Sequence, residues 1–451
     1  MLNILLKNFL GELIMKKSLL LIPVAITSSN LVLSANPVVD MFEKGKVSGE
    51  WRTFYIDRDR HGSTGNNQQD TNGLSTGGYL KYETGKLGSV STGMAFYTTN
   101  PLDSNPSHRD PTLSNDNKEG YTILGEAYLQ YDSPTGNMIK IGRQKLDTPL
   151  AGSDDVRMLP NLFEALVLKT DHIEKSTLIL AHVSRFSAGS FSNAYPQAGG
   201  ALALSTGYGL NNDSGTFMNM GEYAVGEKTK GVSALGFMSA LIPNTKLTVW
   251  DYFAHDILNA IYAKVEISQT IGNVVPMFSA QYISEKNTGD KLGGKIDSNY
   301  YDVQVGGKIG SWNASTSFSQ TGSNSSGSGK NGAILSPWGG IPSFTQGMVT
   351  RHQFFEDTRA FKFSTGYNFQ KETGHNVSLN AYYATYSMGD KNDYVTGNSW
   401  TTIESGFDLI YAPTDKLSFR LRGNYPADFK EDASGNTLDW SETRFITSYK
   451  F

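Results

Sequence analysis

From residue 441 to residue 451 the chain alternates strictly. Thr443, Phe445, Thr447, Tyr449 and Phe451 fall on one face of an extended strand, and Arg444, Ile446, Ser448 and Lys450 on the other. Successive side chains of a strand point to opposite faces, so a period of two specifies a strand and not a helix. The pattern recurs along the chain in pieces of about ten residues. Leu417, Phe419, Leu421 and Tyr425 alternate with Lys416, Ser418, Arg420, Arg422 and Asn424. Phe361, Phe363, Thr365, Tyr367 and Phe369 alternate with Lys362, Ser364 and Asn368, and Val377, Leu379, Ala381 and Tyr383 with Ser378, Asn380 and Tyr382. Such a chain is all-β. A soluble sandwich would turn the apolar face to its core and a membrane barrel would turn it to lipid, and alternation alone does not choose.

Composition narrows the choice without making it, and the ends of the chain and the order of its connections tilt the balance to the barrel. A mean hydropathy of −0.34 excludes a bundle of membrane helices. The only long apolar run lies in residues 1–35, where Lys16 and Lys17 follow Met15, Leu19 to Ile26 form a short apolar core, and Ala35 precedes a plausible cleavage point. These are the three parts of a secretory signal, too short to span a bilayer. Met15 reads as the natural start, and residues 36–451 as one transmembrane barrel domain. Removing the signal takes away three Lys and one Glu and leaves a mature charge of −6. The absence of cysteine removes disulfides, thiolate zinc sites and thiol nucleophiles. The acidic balance gives no cue for nucleic acid. Three further observations point to the outer membrane of a Gram-negative envelope. The last strand ends on the aromatic Phe451, as outer-membrane barrels do when they engage their assembly machinery. Aromatic residues (Tyr55, Tyr82, Tyr131, Tyr282, Tyr411, Tyr425) crowd strand ends, as interfacial girdles require. Short and long connections alternate.

That last regularity counts the strands. The pattern gives nineteen segments if 219–227 is included, and dropping this weak one restores both the even number of a bacterial barrel and the short-long order. Eighteen antiparallel strands are expected at 46–57, 77–84, 89–99, 121–132, 137–144, 162–170, 176–186, 231–241, 246–254, 259–269, 274–285, 298–309, 312–320, 359–369, 376–386, 401–411, 416–425 and 441–451. Eight connections are short and rich in Gly, Pro, Asn and Asp, and the two longest are 187–230 and 321–358. A barrel of this size encloses water.

Function is then read from the lumen-facing side chains. Inward basic candidates are Arg52, Lys81, Lys140, Lys264, Lys308, Lys362, Arg420, Arg422, Arg444 and Lys450, with Glu50, Glu126, Glu266, Glu404 and Asp408 on the same faces. Closure makes the last two strands neighbours of the first, so Arg420, Arg422, Arg444 and Arg52 should share one wall. Guanidinium forks suit carboxylate solutes, which they bind with two oxygens. The bland alternative is ordinary solvated lumen charge. The connection within 146–163 is more apolar than the others and holds Asp147, Asp154 and Asp155. It is expected to fold into the barrel as a constriction loop and to set these acids opposite the arginines.

Gly142-Arg143-Gln144, Asp147-Thr148-Pro149-Leu150 and Asp155-Val156-Arg157-Met158-Leu159-Pro160-Asn161-Leu162-Phe163-Glu164 resemble the third-loop region of the OprD-family outer-membrane porins. Residues 47–58 and 78–82 resemble versions from epsilon-class proteobacteria. The resemblance covers the mature chain. It implies a water-filled channel for small solutes, often amino acids or other carboxylates, with a basic ladder across from an acidic constriction. By position Arg52, Arg157, Arg420 and Arg422 match ladder members, and Arg444 extends them. Several Lys stand where ladders favour Arg.

Competing chemistry is thin. Gly327 to Gly332 matches a glycine fingerprint without strand–helix context. Asp57 to Gln68 begins like a calcium loop but fails at His61 and Gln68. Among the seven histidines only His182 is expected within a strand, and no nucleophile elbow occurs. No enzyme activity, cofactor or metal site is expected. The rival readings are a barrel phospholipase or protease, a non-selective general porin, and a secreted β protein or adhesin. The expected partners are the outer-membrane bilayer, small solutes and the assembly machinery at Phe451, and a homotrimer is compatible with this reading.

Overall fold

The computed structural model describes residues 36–62, 70–103, 105–115, 117–190, 215–323, 332–392, 394–395 and 397–451. The expected signal, 1–35, lies outside the described residues, as do Gln68 and all of Gly327–Gly332 except Gly332. Met41–Phe451 forms one compact unit, which contains the barrel.

The barrel strands are β1 (Lys46–Gly62), β2 (Thr71–Glu83), β3 (Val90–Pro101), β4 (Tyr121–Asp132), β5 (Asn137–Gln144), β6 (Leu162–Thr170), β7 (Ser176–Ser187), β8 (Val232–Ser239), β9 (Thr245–Ala254), β10 (Leu258–Ser268), β11 (Val274–Asn287), β12 (Asp297–Ile309), β13 (Trp312–Thr321), β14 (Thr358–Asn368), β15 (Asn376–Met388), β16 (Trp400–Ala412), β17 (Leu417–Ala427) and β18 (Thr437–Lys450). Each pairs antiparallel with its sequence neighbours. β18 pairs with both β17 and β1, with Arg422 opposite Arg444 and Trp51 opposite Tyr449, so the sheet closes without an edge. The eighteen strands expected from alternation are the eighteen observed. The dropped segment 219–227 is mostly a short helix, Met220–Val225, capped by the Asn219 side chain on Gly221 and Glu222 N–H.

The turns follow their residues. Gly310–Ser311 is a two-residue hairpin in which Gly310 takes φ 57°, a conformation that an L side chain resists. β1 runs further than expected, to Gly62, so Asp57–Gly62 of the stretch resembling a calcium loop is strand, and His61 joins His182 as a strand histidine. No described helix is long and apolar enough to cross a membrane, so the crossing is made by strands.

The alternation resolves into a wet side and a lipid side. Trp51 and Tyr55 of β1 are exposed, whereas Phe54, Ile56 and Arg58 on its other face are buried. The same split exposes Phe363, Tyr383, Tyr425, Phe445 and Tyr449. The inner face is buried because three connections fold into the lumen and pack on it. Met158 and Leu159 cluster with Phe54, Ile56, Tyr97 and Leu113. Ile334, Leu335, Trp338 and Phe354 cluster with Trp250, Tyr252, Ile283 and Tyr300.

Candidate functional site

The connection between β5 and β6 crosses the lumen. Its tip is a tight hairpin in which Asp147–Thr148 pairs with Ala151–Gly152. At one end Leu150 N–H donates to the Tyr252 hydroxyl of β9 at 3.3 Å. At the other, Asp155 accepts from Arg52 of β1 at 2.7 Å and from Lys145 at 3.2 Å. β1 and β9 lie on opposite sides of an eighteen-strand ring, so this strap divides the pore. Two acids beside the tip seat it: Asp147 accepts from Ser153 N–H at 3.0 Å, and Asp154, at φ 41°, accepts from Gly340 N–H at 3.2 Å.

Burial pushes the Asp155 carboxyl up, but the charges of Arg52 and Lys145 and their hydrogen bonds outweigh it and hold the group below the ordinary carboxylate range. Instead of facing the arginines across water, Asp155 touches one of them. Asp147 and Asp154 are occupied by N–H donors of the loops.

The loop arginine joins a buried charge cluster at the closing seam. Arg157 reaches Glu442 of β18 at 3.2 Å, and Arg444 reaches the same carboxylate at 2.6 Å. Arg58 of β1 bridges Glu442 and Asp110, each at 3.0 Å. Asp110 sits in the β3–β4 connection, whose Thr112 accepts from Arg157 at 3.2 Å. Arg58 and Glu442 were missed by sequence reasoning. The signal for Arg58 was present, because Glu50, Arg52, Phe54, Ile56 and Arg58 continue one parity beyond the expected strand end.

The connection between β13 and β14 also enters the lumen, which the sequence reading did not assign to it. Carboxylates of the wall hold it by its backbone. Leu335 N–H donates to Glu285 at 2.8 Å and Phe344 N–H to Asp302 at 2.5 Å. Met348, Val349 and Thr350 N–H donate to Glu404 at 2.8, 3.3 and 2.7 Å. Glu404 is therefore a loop anchor and not a counter-ion of the basic wall. His352 is wholly buried, its Nε2 donating to the Phe429 carbonyl at 2.7 Å, and burial pushes its pKa down to about 4.

Between these two loops and the β14–β18 wall lies a cavity of about 320 Å3. Arg157, Arg351, Lys362, Arg422 and Arg444 line it, with Asp408 as its one carboxylate. Arg420 and Arg52 lie outside this lining. Arg420 forms a two-point pair with Asp408, its Nε donating at 2.7 Å. Arg422 stands 3.6 Å from the same carboxylate, and its Nε finds no hydrogen-bond acceptor among the described residues. Lys362 donates to the Gln346 carbonyl at 2.6 Å and lies over the Tyr382 ring, without an ion pair among the described residues. An anionic oxygen about 5 Å from one such cation gains roughly 3 kcal/mol at an effective dielectric of ~20, well above thermal energy. The described residues contain no grouping of three metal-ligating side chains.

The model of the family described as outer membrane porin, OprD family, matches residues 39–451. The chain belongs to the OprD family. It is an integral outer-membrane porin, and its strands enclose a channel. Solved structures of similar fold include Pseudomonas aeruginosa OpdK with vanillate, at 18% identity and TM-score 0.71, covering 91% of this chain and 99% of that one. P. aeruginosa OccK9 (OpdG) matches at 17% and 0.73, again covering 91% and 99%. Acinetobacter baumannii OccAB2 matches at 18% and 0.70 with the same coverage. No curated protein sequence matches. At these identities the structures speak for the fold. For a porin of this family the short turns face the periplasm and the long loops the exterior.

Proposed function

We propose that this porin favours small anionic solutes bearing carboxylates, passed along a basic wall formed by Arg52, Arg157, Arg420, Arg422 and Arg444. The observation that carries the reading is the cavity in which five cations meet a single carboxylate. Within it Arg422 and Lys362 are the least satisfied cations, and they offer a fork and a point charge to a carboxylate. That OpdK was solved with vanillate, itself an aromatic carboxylate, supports the same chemistry. Asp147, Asp154 and Asp155 set the loop that narrows this path. In this reading residues 1–35 export the chain, and the strand ending at Phe451 engages the assembly machinery.

The second reading, a non-selective porin, is favoured by the pairing of Arg52 with Glu50 and Asp155 and of Arg420 with Asp408, which leaves these arginines largely neutralised. Refolded protein in a planar bilayer separates the two. Arg422→Ala with Lys362→Ala should lower anionic-solute flux about tenfold and leave a neutral sugar nearly unchanged, since charge in the narrows selects sign. Equal losses for both would establish the non-selective porin. Absence of conductance steps together with lipase or protease turnover would overturn both readings.

A further inference from the structure

Two cations enter the basic cavity at different heights. In the registers Lys362 of β14 lies level with Ala384, Ala384 with Glu404, and Glu404 with Pro426 of β17. Arg422 stands four residues nearer the periplasmic end of β17 than Pro426, on a strand three places round the wall from Lys362. That offset is about 13 Å along the strands and about 14 Å across them. Both side chains nonetheless reach the same cavity, so it has a positive corner toward the exterior and another toward the periplasm.

Each corner is held in place without losing its charge. Lys362 gives one of its three N–H donors to the Gln346 carbonyl at 2.6 Å and rests 4.9 Å from the centre of the Tyr382 ring, and both partners are neutral. Glu404, level with Lys362, is taken up by the N–H groups of Met348, Val349 and Thr350. At the other corner Asp408 is gripped at two points by Arg420 and stands 3.6 Å from Arg422. Asn380 lies level with Asp408, and Asp408 with Arg422. The wall from Lys362 down to this corner is lined by the neutral side chains of Ser364 and Asn380.

We propose that the preferred solute of this cavity is a short dicarboxylate, bridged between Lys362 and Arg422. The proposal rests on the anion reading given above and adds to it the spacing of two charges. A solute with one carboxylate serves one corner at a time. With two on one chain, the first contact raises the effective concentration of the second. Arg422 offers its carboxylate a fork, and Lys362 offers a point charge that tolerates several orientations. The cavity, about 320 Å3 and so roughly 8 to 9 Å across if round, is at the small end for a ligand site. A chain too short cannot reach both corners, and one too long must buckle.

Refolded protein in a planar bilayer tests this through the concentration of solute that half-blocks the chloride current. Glutarate is compared with valerate, which has the same chain length and one carboxylate. Glutarate is expected to block at a concentration at least about tenfold lower. Along oxalate, succinate, glutarate and suberate the block should pass through a best length, whereas charge alone would favour every dianion alike. Lys362→Gln or Arg422→Gln should abolish that optimum and most of the advantage of glutarate. The double variant should lose little more, because removing either end already breaks the bridge. A heat-modifiable band on gels confirms that each variant is folded. Equal block by glutarate and valerate, the absence of a best length, or losses that add in the double variant overturns the bridge and leaves the anion reading standing. Block by both acids no stronger than by a neutral sugar overturns the two together.

Discussion

Residues 145–161 and residues 332–357 both lie inside the barrel, but the wall grips them through different atoms. The first is held where side-chain charges meet: Asp155 on Arg52 and Lys145, and Arg157 on Glu442. The second is held where backbone N–H groups meet wall carboxylates, namely Glu285, Asp302 and Glu404. The pairs of Asp155 with Arg52 and Lys145 are partly open to water and can separate, so the strap can adjust there, whereas its Arg157–Glu442 pair is buried. A row of backbone donors has no replacement acceptors in a packed lumen, so the second loop behaves as fixed lining. The cavity therefore has one wall tuned by charge and one set by shape.

Glu404→Ala tests that contrast most severely. It removes the acceptor of three backbone N–H groups, each worth about 1–3 kcal/mol when orphaned, so a loss of roughly 3 kcal/mol or more is expected. Thermal unfolding should show the loss, and single-channel recordings should show larger, noisier steps. Unchanged conductance would mean that this loop does not shape the narrows.

Acid should loosen the two loops in different windows. His352 is held neutral in the fold, with its pKa pushed down to about 4 from an ordinary value of about 6.5, so the unfolded chain binds the extra proton first. Stability from this group is whole above pH ~6.5 and falls by roughly 3 kcal/mol as pH drops to ~4. Asp155 is depressed, so its contribution persists at neutral pH, begins to fall near the ordinary carboxylate range of about 3.9, and is lost as pH falls through its lower folded value. Stability of His352→Phe against wild type between pH 7 and pH 4 reads the first window. If the two proteins lose stability in parallel, His352 is not the group that titrates.

The smallest effect is expected from Asp155→Asn. It frees Arg52 toward the solute path and should raise the anion preference in reversal-potential measurements by about twofold, with under ~1 kcal/mol lost in stability because the pair is partly solvated. A shift toward cations would reverse the assigned role of this acid.

The barrel itself was legible because alternation is written in side chains. All eighteen strands and the turns between them follow from parity, from Gly, Pro, Asn and Asp at the corners, and from the even number that closure demands. The first strap was legible for the same reason, since apolar residues and acids stand out in a surface connection. The second was not, although Ile334, Leu335, Trp338, Ile341, Phe354 and Phe355 meet the same criterion of an apolar loop. Its anchors are backbone N–H groups, which every residue but proline carries, so Glu285, Asp302 and Glu404 look like ordinary lumen acids until their partners are seen. Arg58 was hidden by ending β1 too early, and Glu442 by reading the last strand for its arginine and its closing aromatic.

Glu442 has a temporal meaning as well as a spatial one. It sits on the strand made last, and it serves Arg58 on the strand made first and Arg157 in the strap between β5 and β6. Those contacts form only when β18 docks on β1. Sealing the wall and setting the pore's interior are thus a single step of assembly, and a chain interrupted before its final strand would leave an unlatched interior along with an open seam.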